Sequence, residues 1–167
     1  MSKRELNKYL KSLSKKELEF QINELYDRIK EVKVFYNFVF NPKEDKLIEE
    51  AKFKIAKEYF PPSNRKPKKR RSVAQKLIKK FQILGVEPLL IADVMLYNIE
   101  IAQSFCAEKE VNQDAFYKSI LKSFEESLEF LEKHSLRKKF EERLQKIATC
   151  AFELNWINRH AFDDRLN

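Results

Sequence analysis

The sequence predicts an all-α protein of about seven helices. The 167 residues include only one glycine (Gly85) and one threonine (Thr149), whereas a multi-stranded sheet needs glycine-bearing turns and favours β-branched residues. Apolar side chains recur instead at spacings of three and four, and 43% of the residues are hydrophobic, which is typical of a globular chain. We therefore expect a single domain, residues 1–167, in which the helices form an antiparallel bundle or a short, solenoid-like stack of helix pairs.

Capping signals predict the first helices. Ser2 and Ser14 are each followed three residues later by a glutamate, which is the capping-box pattern. A short helix and a longer helix, starting near Lys15, are expected after these caps. The longer helix carries an apolar stripe made of Leu18, Ile22, Leu25, Ile29 and Val32. Residues 35–40 are compatible with a strand or a helix, and we expect a helix because the sequence offers no second strand.

Proline residues bound the next helix. Asn41 is expected to cap it, with Pro42 at its first position, because proline is tolerated there. The Pro61–Pro62 pair should end the helix, since proline cannot continue it. Residues 61–71 are then a basic, proline-containing loop.

The sequence predicts four further long helices. A third capping box at 72–75 and a stop at Gly85 predict one helix. Pro88 opens a helix to about residue 105 that is apolar around most of its circumference and should lie in the middle of the fold. Asn112 is expected to cap the next helix, and a last long helix begins near Leu136, followed by a short helical tail.

The positive charge is concentrated in one segment. The chain carries 34 basic and 26 acidic residues, and no acidic residue lies between Glu58 and Glu87. This basic segment contains nine cations: Arg65, Lys66, Lys68, Lys69, Arg70, Arg71, Lys76, Lys79 and Lys80. A local surplus of this kind implies an anionic partner, and its place before a helix N-terminus suits phosphate. The stretch between Phe60 and Phe81 contains no aromatic residue on which bases could stack, so contact with a nucleic-acid backbone is expected without base reading.

Three polar residues interrupt the apolar helix that follows. Asp93, Tyr97 and Glu100 are spaced four and three apart and therefore share one face. Carboxylates on such a helix need partners if they are buried. They could pair with lysines or arginines and fix the packing, or they could line a small pocket in which Asp93 or Glu100 acts as acid or base.

No catalytic residue, cofactor or metal site is predicted. His134 and His160 have no metal ligand at suitable spacing, and glycine-rich phosphate loops are missing. Cys106 and Cys150 lack paired spacing and are expected to be reduced. The charged first residues do not resemble a signal peptide, and no uninterrupted apolar run approaches the ~18 residues of a membrane span. We expect a cytoplasmic protein without a membrane span.

Four local strings carry a family resemblance. They are Asn41-Pro42-Lys43-Glu44-Asp45-Lys46, Glu58-Tyr59-Phe60-Pro61, Arg71-Ser72-Val73-Ala74-Gln75 and Leu96-Tyr97-Asn98-Ile99-Glu100-Ile101-Ala102-Gln103. Together they resemble a family of bacterial, all-helical proteins of about this length whose function is uncharacterised. The resemblance implies a bacterial cytoplasmic protein and assigns no functional residue.

Three functions fit these features. We expect a non-catalytic helical adaptor that binds another protein through an exposed apolar patch or groove. The alternative is binding of a nucleic-acid backbone, or another phosphate-bearing anion, through the basic segment. An enzyme with a polar pocket at Asp93, Tyr97 and Glu100 is the least favoured.

Overall fold

The computed structural model describes residues 2–63 and 65–166, and within these ranges it contains helices and no strand, with 79% of residues helical. The prediction of an all-α fold is confirmed. The described residues form nine helices, close to the expected seven: α1 (Lys3–Ser12), α2 (Lys15–Arg28), α3 (Lys30–Phe40), α4 (Glu44–Tyr59), α5 (Arg71–Leu84), α6 (Pro88–Glu108), α7 (Asp114–Lys133), α8 (Arg137–Glu153) and α9 (Arg159–Asp164). The helices divide into an N-terminal unit, residues 1–43, and a C-terminal unit, residues 44–167.

The N-terminal unit consists of α1, α2 and α3. Both predicted capping boxes are confirmed. The Ser2 hydroxyl accepts from the Glu5 amide at 3.3 Å, and the Ser2 amide donates to the Glu5 carboxylate at 2.6 Å. Ser14 makes the same pair of bonds with Glu17. None of residues 2–43 is buried, so this unit has helices without a core of its own.

The predicted long helix from Lys15 is two helices, because the backbone turns at one residue. Ile29 is extended (φ −115°, ψ 110°), ends α2 through its amide and starts α3 through its carbonyl, which accepts from Lys33 at 3.1 Å. Residues 35–40 are helical, as expected. Asn41 ends α3 instead of capping α4, which begins at Glu44, so that predicted cap was wrong.

The C-terminal unit is built around α6, which packs against α4, α5, α7 and α8. Val94, Leu96 and Ile99 are fully buried, which agrees with the expected central helix. Gly85 adopts the left-handed conformation (φ 75°) that ends α5, and Pro88 occupies the first turn of α6, both as predicted. Trp156 closes the core against α7 and α9, with its ring 6.4 Å from that of Phe116.

Two predicted caps in this unit were wrong. α5 begins at Arg71, one residue before the predicted cap Ser72, and its cap position is Arg70 with no side-chain hydrogen bond. α7 has Gln113 instead of Asn112 at the cap position, also without a side-chain bond. At the start of α5, the contacts of Arg71 with α7 take the place of a local cap. The ends of α4 before Pro61 and of α5 at Gly85 agree with the prediction.

Candidate functional site

The basic loop before α5 is hydrogen-bonded to Glu58 at the end of α4. The Glu58 carbonyl accepts from the Lys68 and Lys69 amides at 3.0 and 2.9 Å. Its carboxylate accepts from Arg70 Nε at 2.8 Å and Nη2 at 2.7 Å, a bidentate pair. The hydrogen bonds from Arg70 hold the pKa of Glu58 below its ordinary value. The part of the loop from Lys68 to Arg70 is therefore held by an acidic group of the same chain.

Arg71 also forms its polar contacts within the chain. Its Nε donates to Ser123 Oγ at 2.7 Å, and its Nη2 pairs with Glu126, both on α7. Only 18% of the Arg71 side chain is exposed. Arg70 and Arg71 belong to the basic segment for which phosphate contact is expected, and each joins α5 to another part of the C-terminal unit.

The other seven cations of the basic segment differ in how exposed they are. The Lys69 ammonium lies 5.7 Å from the centre of the Phe105 ring, and Lys69 adopts a positive φ of 52°. Six cations are exposed and make no ion pair with the described residues: Arg65, Lys66, Lys68, Lys76, Lys79 and Lys80. The segment predicted to bind anions therefore contains six exposed cations that have no ion-pair partner among the described residues.

The polar face of α6 is brought together by Arg143 of α8. Arg143 Nη1 donates to Asp93 Oδ1 at 2.6 Å, and its Nη2 donates to Glu100 Oε2 at 2.7 Å, while its Nε also bonds Glu100. The three side chains are about one-third exposed or less. One guanidinium thus bridges two carboxylates that lie two helical turns apart.

Lys52 of α4 completes this network. Its ammonium pairs with Asp93 Oδ2 and lies 5.3 Å from the centre of the Tyr97 ring. Burial by itself raises the pKa of Asp93, but the bonds from Lys52 and Arg143 outweigh burial and hold that pKa below its ordinary value. Asp93 is therefore ionised at neutral pH, and its partners join α4, α6 and α8.

The sequence analysis missed both basic partners of this network. Lys52 and Arg143 lie about 40 and 50 residues from Asp93, and each has an ordinary place in its own helix. Arg143 is preceded by two glutamates, so its local surroundings suggest a pair within α8. No local signal could have assigned it to α6.

A groove runs between α5 and α7 over the side of α6. Two adjoining cavities of about 480 and 420 Å³ share Gln82, Phe130 and Lys133. Met95 and Ile91 lie at its floor but are almost completely buried.

The largest apolar exposure lies in the N-terminal unit. Of the twelve large apolar side chains that are strongly exposed in the described residues, nine belong to residues 2–43. Ile22, Leu25, Ile29 and Val39 are 40–49% exposed. Together with the half-buried Leu18, Val32 and Tyr36, these residues of α2 and α3 are called the N-terminal apolar face: Leu18, Ile22, Leu25, Ile29, Val32, Tyr36 and Val39. The sequence analysis identified the first five and expected them to pack as an ordinary helix stripe.

The cysteines and histidines are not gathered into one site. Cys106 and Cys150 are both free thiols, and burial raises the pKa of Cys106 to about 11. The imidazole of His134 packs on Phe130, and that of His160 packs on Phe152. Within residues 2–63 and 65–166, no group of three or more His, Cys, Asp or Glu side chains is placed to hold a metal ion.

One helix of the described chain has the length and apolar composition of a membrane span. It is α6, with a mean hydropathy of 1.3 over its most apolar window, and 56% of that window is buried in the fold. A buried core helix meets the same two criteria, so length and composition alone do not indicate a span.

Comparison with known proteins gives a family but no function. No curated protein and no solved structure matches the chain. One family model matches residues 1–167, and it is described as a family of unknown function, DUF6155. Because this match covers the full sequence, the chain belongs to the family of unknown function DUF6155.

Proposed function

We propose that the chain is a non-catalytic helical interaction protein that binds a protein partner through the N-terminal apolar face. The exposure of that face carries the proposal. Single exposed apolar residues are common on protein surfaces, but a contiguous set of them marks an interaction site. Here three helices, α1 to α3, have no buried residue within 2–43. Ile22, Leu25 and Ile29, each at least 40% exposed, follow one another at helical spacing on α2.

Burial of this face against a partner would stabilise the complex through the hydrophobic effect, at roughly 25 cal/mol for each Å² of apolar area removed from water. Such binding depends little on ionic strength, because screening acts on charges. Binding through the apolar face should therefore persist in salt concentrations that remove phosphate-backbone contacts.

Photo-crosslinking tests this proposal. A benzoylphenylalanine at position 35, beside Val32 and Val39, should give a covalent protein adduct in the cells that produce this chain. The matched control is the same group at Phe53, which is 61% exposed on α4 of the C-terminal unit and should give none. The adduct from position 35 should also disappear when Leu25 and Ile29 are changed to glutamate. Equal adducts from both positions, or none from position 35, would refute the proposal.

A second candidate function is binding of a nucleic-acid backbone. Its support is the exposure of six cations that have no ion-pair partner among the described residues. Charge reversal at Arg70 or Arg71 is not a usable test, because those residues hold Glu58 and Glu126. The informative variant is Lys76→Glu with Lys80→Glu, one turn apart on the exposed side of α5.

This second candidate predicts a steep dependence on salt. The wild-type chain should bind labelled single- or double-stranded nucleic acid at about 50 mM salt and lose most of that affinity by about 200 mM. The lysine variant should bind weakly throughout, with unchanged helicity. If the wild-type chain does not bind at about 50 mM salt, this candidate is excluded.

A further inference from the structure

Helix α1 has an apolar side and a basic side. The apolar side is spaced by three, one and three residues and consists of Leu6, Tyr9, Leu10 and Leu13. The basic side is spaced by four and three residues and consists of Arg4, Lys8 and Lys11. Each of these cations lies two positions before a leucine of the apolar side, which is a rotation of about 200° around the helix. The two sides therefore face in nearly opposite directions.

The apolar side of α1 is only partly covered by the described part of the chain. Leu6 is 39% exposed, Tyr9 is 47% exposed, and no residue of α1 is buried. α2 packs against α3, whereas α1 has no comparably extensive contact with another described helix. A hydrogen bond from the Gln21 side-chain amide to the Tyr9 hydroxyl, at 2.5 Å, joins α1 to α2. Much of the apolar side is therefore available to a partner.

The charge of α1 shows that this partner is anionic. α1 carries four cations and one anion, a net charge of +3. None of the four cations has an ion-pair partner among the described residues. The anion, Glu5, accepts a hydrogen bond from the Ser2 amide in the helix cap. Residues 15–40, by contrast, contain five cations and five anions, so the positive surplus of the N-terminal unit lies in and beside α1.

A membrane surface with anionic headgroups fits both sides of α1 at once. A nucleic-acid backbone supplies phosphates but no apolar medium for Leu6 and Leu10. A protein groove that takes the apolar side leaves Lys8 and Lys11 on the far side of the helix. An amphipathic helix sinks about 5–10 Å into the boundary between headgroups and acyl chains, and a helix is about 10–12 Å across. Headgroups therefore surround the basic side while the apolar side reaches the acyl chains.

We propose that α1 is an interfacial helix that binds the chain to anionic lipid membranes, lying in the plane of the surface with its apolar side toward the acyl chains. The binding is reversible, because a helix of ten residues presents few apolar side chains to the membrane. The inference goes beyond the proposed function. It concerns a different surface and a different partner, so either can fail while the other stands.

Flotation of the purified full chain with lipid vesicles tests the inference. At about 100 mM salt the chain should bind vesicles of phosphatidylcholine with about 30% phosphatidylglycerol at least ~10-fold more tightly than vesicles of phosphatidylcholine alone. Lys8→Gln with Lys11→Gln should weaken binding to the anionic vesicles roughly 10–30-fold, because each lysine near such a surface contributes a factor of about five. The matched control is Lys76→Gln with Lys80→Gln, two exposed lysines four residues apart on α5, which should bind as the wild type does.

Insertion of the apolar side is measured separately. Leu6→Gln with Leu10→Gln keeps the charge of α1 and should weaken binding at least ~10-fold, which attraction between charges alone does not predict. If this variant loses the far-ultraviolet helical signal, Tyr9→Trp supplies a second measurement. Its added fluorescence should shift to shorter wavelength on anionic vesicles, since Trp156 is already 1% exposed and does not respond.

Three results overturn the inference. They are a wild-type chain that does not bind the anionic vesicles at about 100 mM salt, equal losses of binding in the α1 and α5 lysine variants, and no wavelength shift at position 9 in the vesicle-bound chain. The alternative partner is a protein. It would be identified if benzoylphenylalanine at position 6 gave a protein adduct in cells while the purified chain did not bind the vesicles.

Discussion

Arg143 should be the most sensitive polar residue of the C-terminal unit. In the variant Arg143→Met the aliphatic stem is retained, while Asp93 and Glu100 lose the guanidinium that joins them. Each charge-assisted hydrogen bond contributes about 1.5–3 kcal/mol when shielded from water. The side chains are 27–34% exposed, so water replaces part of the loss. We expect the free energy of unfolding to fall by about 2–3 kcal/mol.

Urea unfolding followed by fluorescence measures this loss. Trp156 is the only tryptophan and is 1% exposed in the same unit, so its signal reports the relevant transition. Lys146→Met is the matched control on α8, since Lys146 pairs with Glu142 at 2.7 Å on the exposed side of the helix, and its midpoint should not move. Glu100→Gln should restore part of the stability lost in Arg143→Met, because Glu100 pairs with Arg143 and a neutral amide costs less to leave unpaired. A loss below about 0.5 kcal/mol for Arg143→Met, or no restoration, would refute the bridging role.

The remaining predictions concern single contacts. Gly85→Ala should destabilise the chain by about 1 kcal/mol in urea unfolding, because φ is 75° and the added Cβ meets no atom within 4 Å, so that the cost is backbone strain alone. Ser14→Ala should speed amide exchange in the first turn of α2 and leave α5 unchanged. The folded-state pKa of Asp93 lies below its ordinary 3.8. The ionised carboxylate therefore contributes fully to the free energy of unfolding above about pH 4, and this contribution is lost as pH falls through the lower pKa. Asp93→Asn should remove that part of the pH dependence of stability. Arg70→Ala should raise the pKa of Glu58 toward its ordinary value, which a carboxyl NMR titration measures.

Local signals in the sequence predicted most of the helices. Ser2 and Ser14 were recognised as caps because a capping box is complete within four residues. Gly85 was recognised as a helix stop because the left-handed conformation at that position favours glycine. Ser72 satisfied the same capping pattern and was still not the cap. The start of α5 is set by Arg71, whose partners Ser123 and Glu126 lie 52 and 55 residues away.

The sequence predicted which residues the candidate site contains, but not how they are arranged or paired. The sequence shows that the segment from Arg65 to Lys80 is basic. Which of its cations form ion pairs depends on where Glu58 and Glu126 lie in the fold. The apolar residues from Leu18 to Val32 were visible as a stripe in the sequence. Periodicity shows that side chains share a face and does not show what covers that face. The exposure of this face became visible only when the positions of α1 to α3 were known.

The yield of photo-crosslinked adduct from position 35 tests the central claim most directly, because it asks whether the N-terminal apolar face contacts a protein. Wild-type chains carrying benzoylphenylalanine at position 35 should give a protein adduct that is absent from position 53 and from the Leu25→Glu, Ile29→Glu variant. A mass of two chains for that adduct would identify the partner as a second copy. An adduct that persists in the variant, or position 53 reacting as strongly as position 35, would contradict the claim.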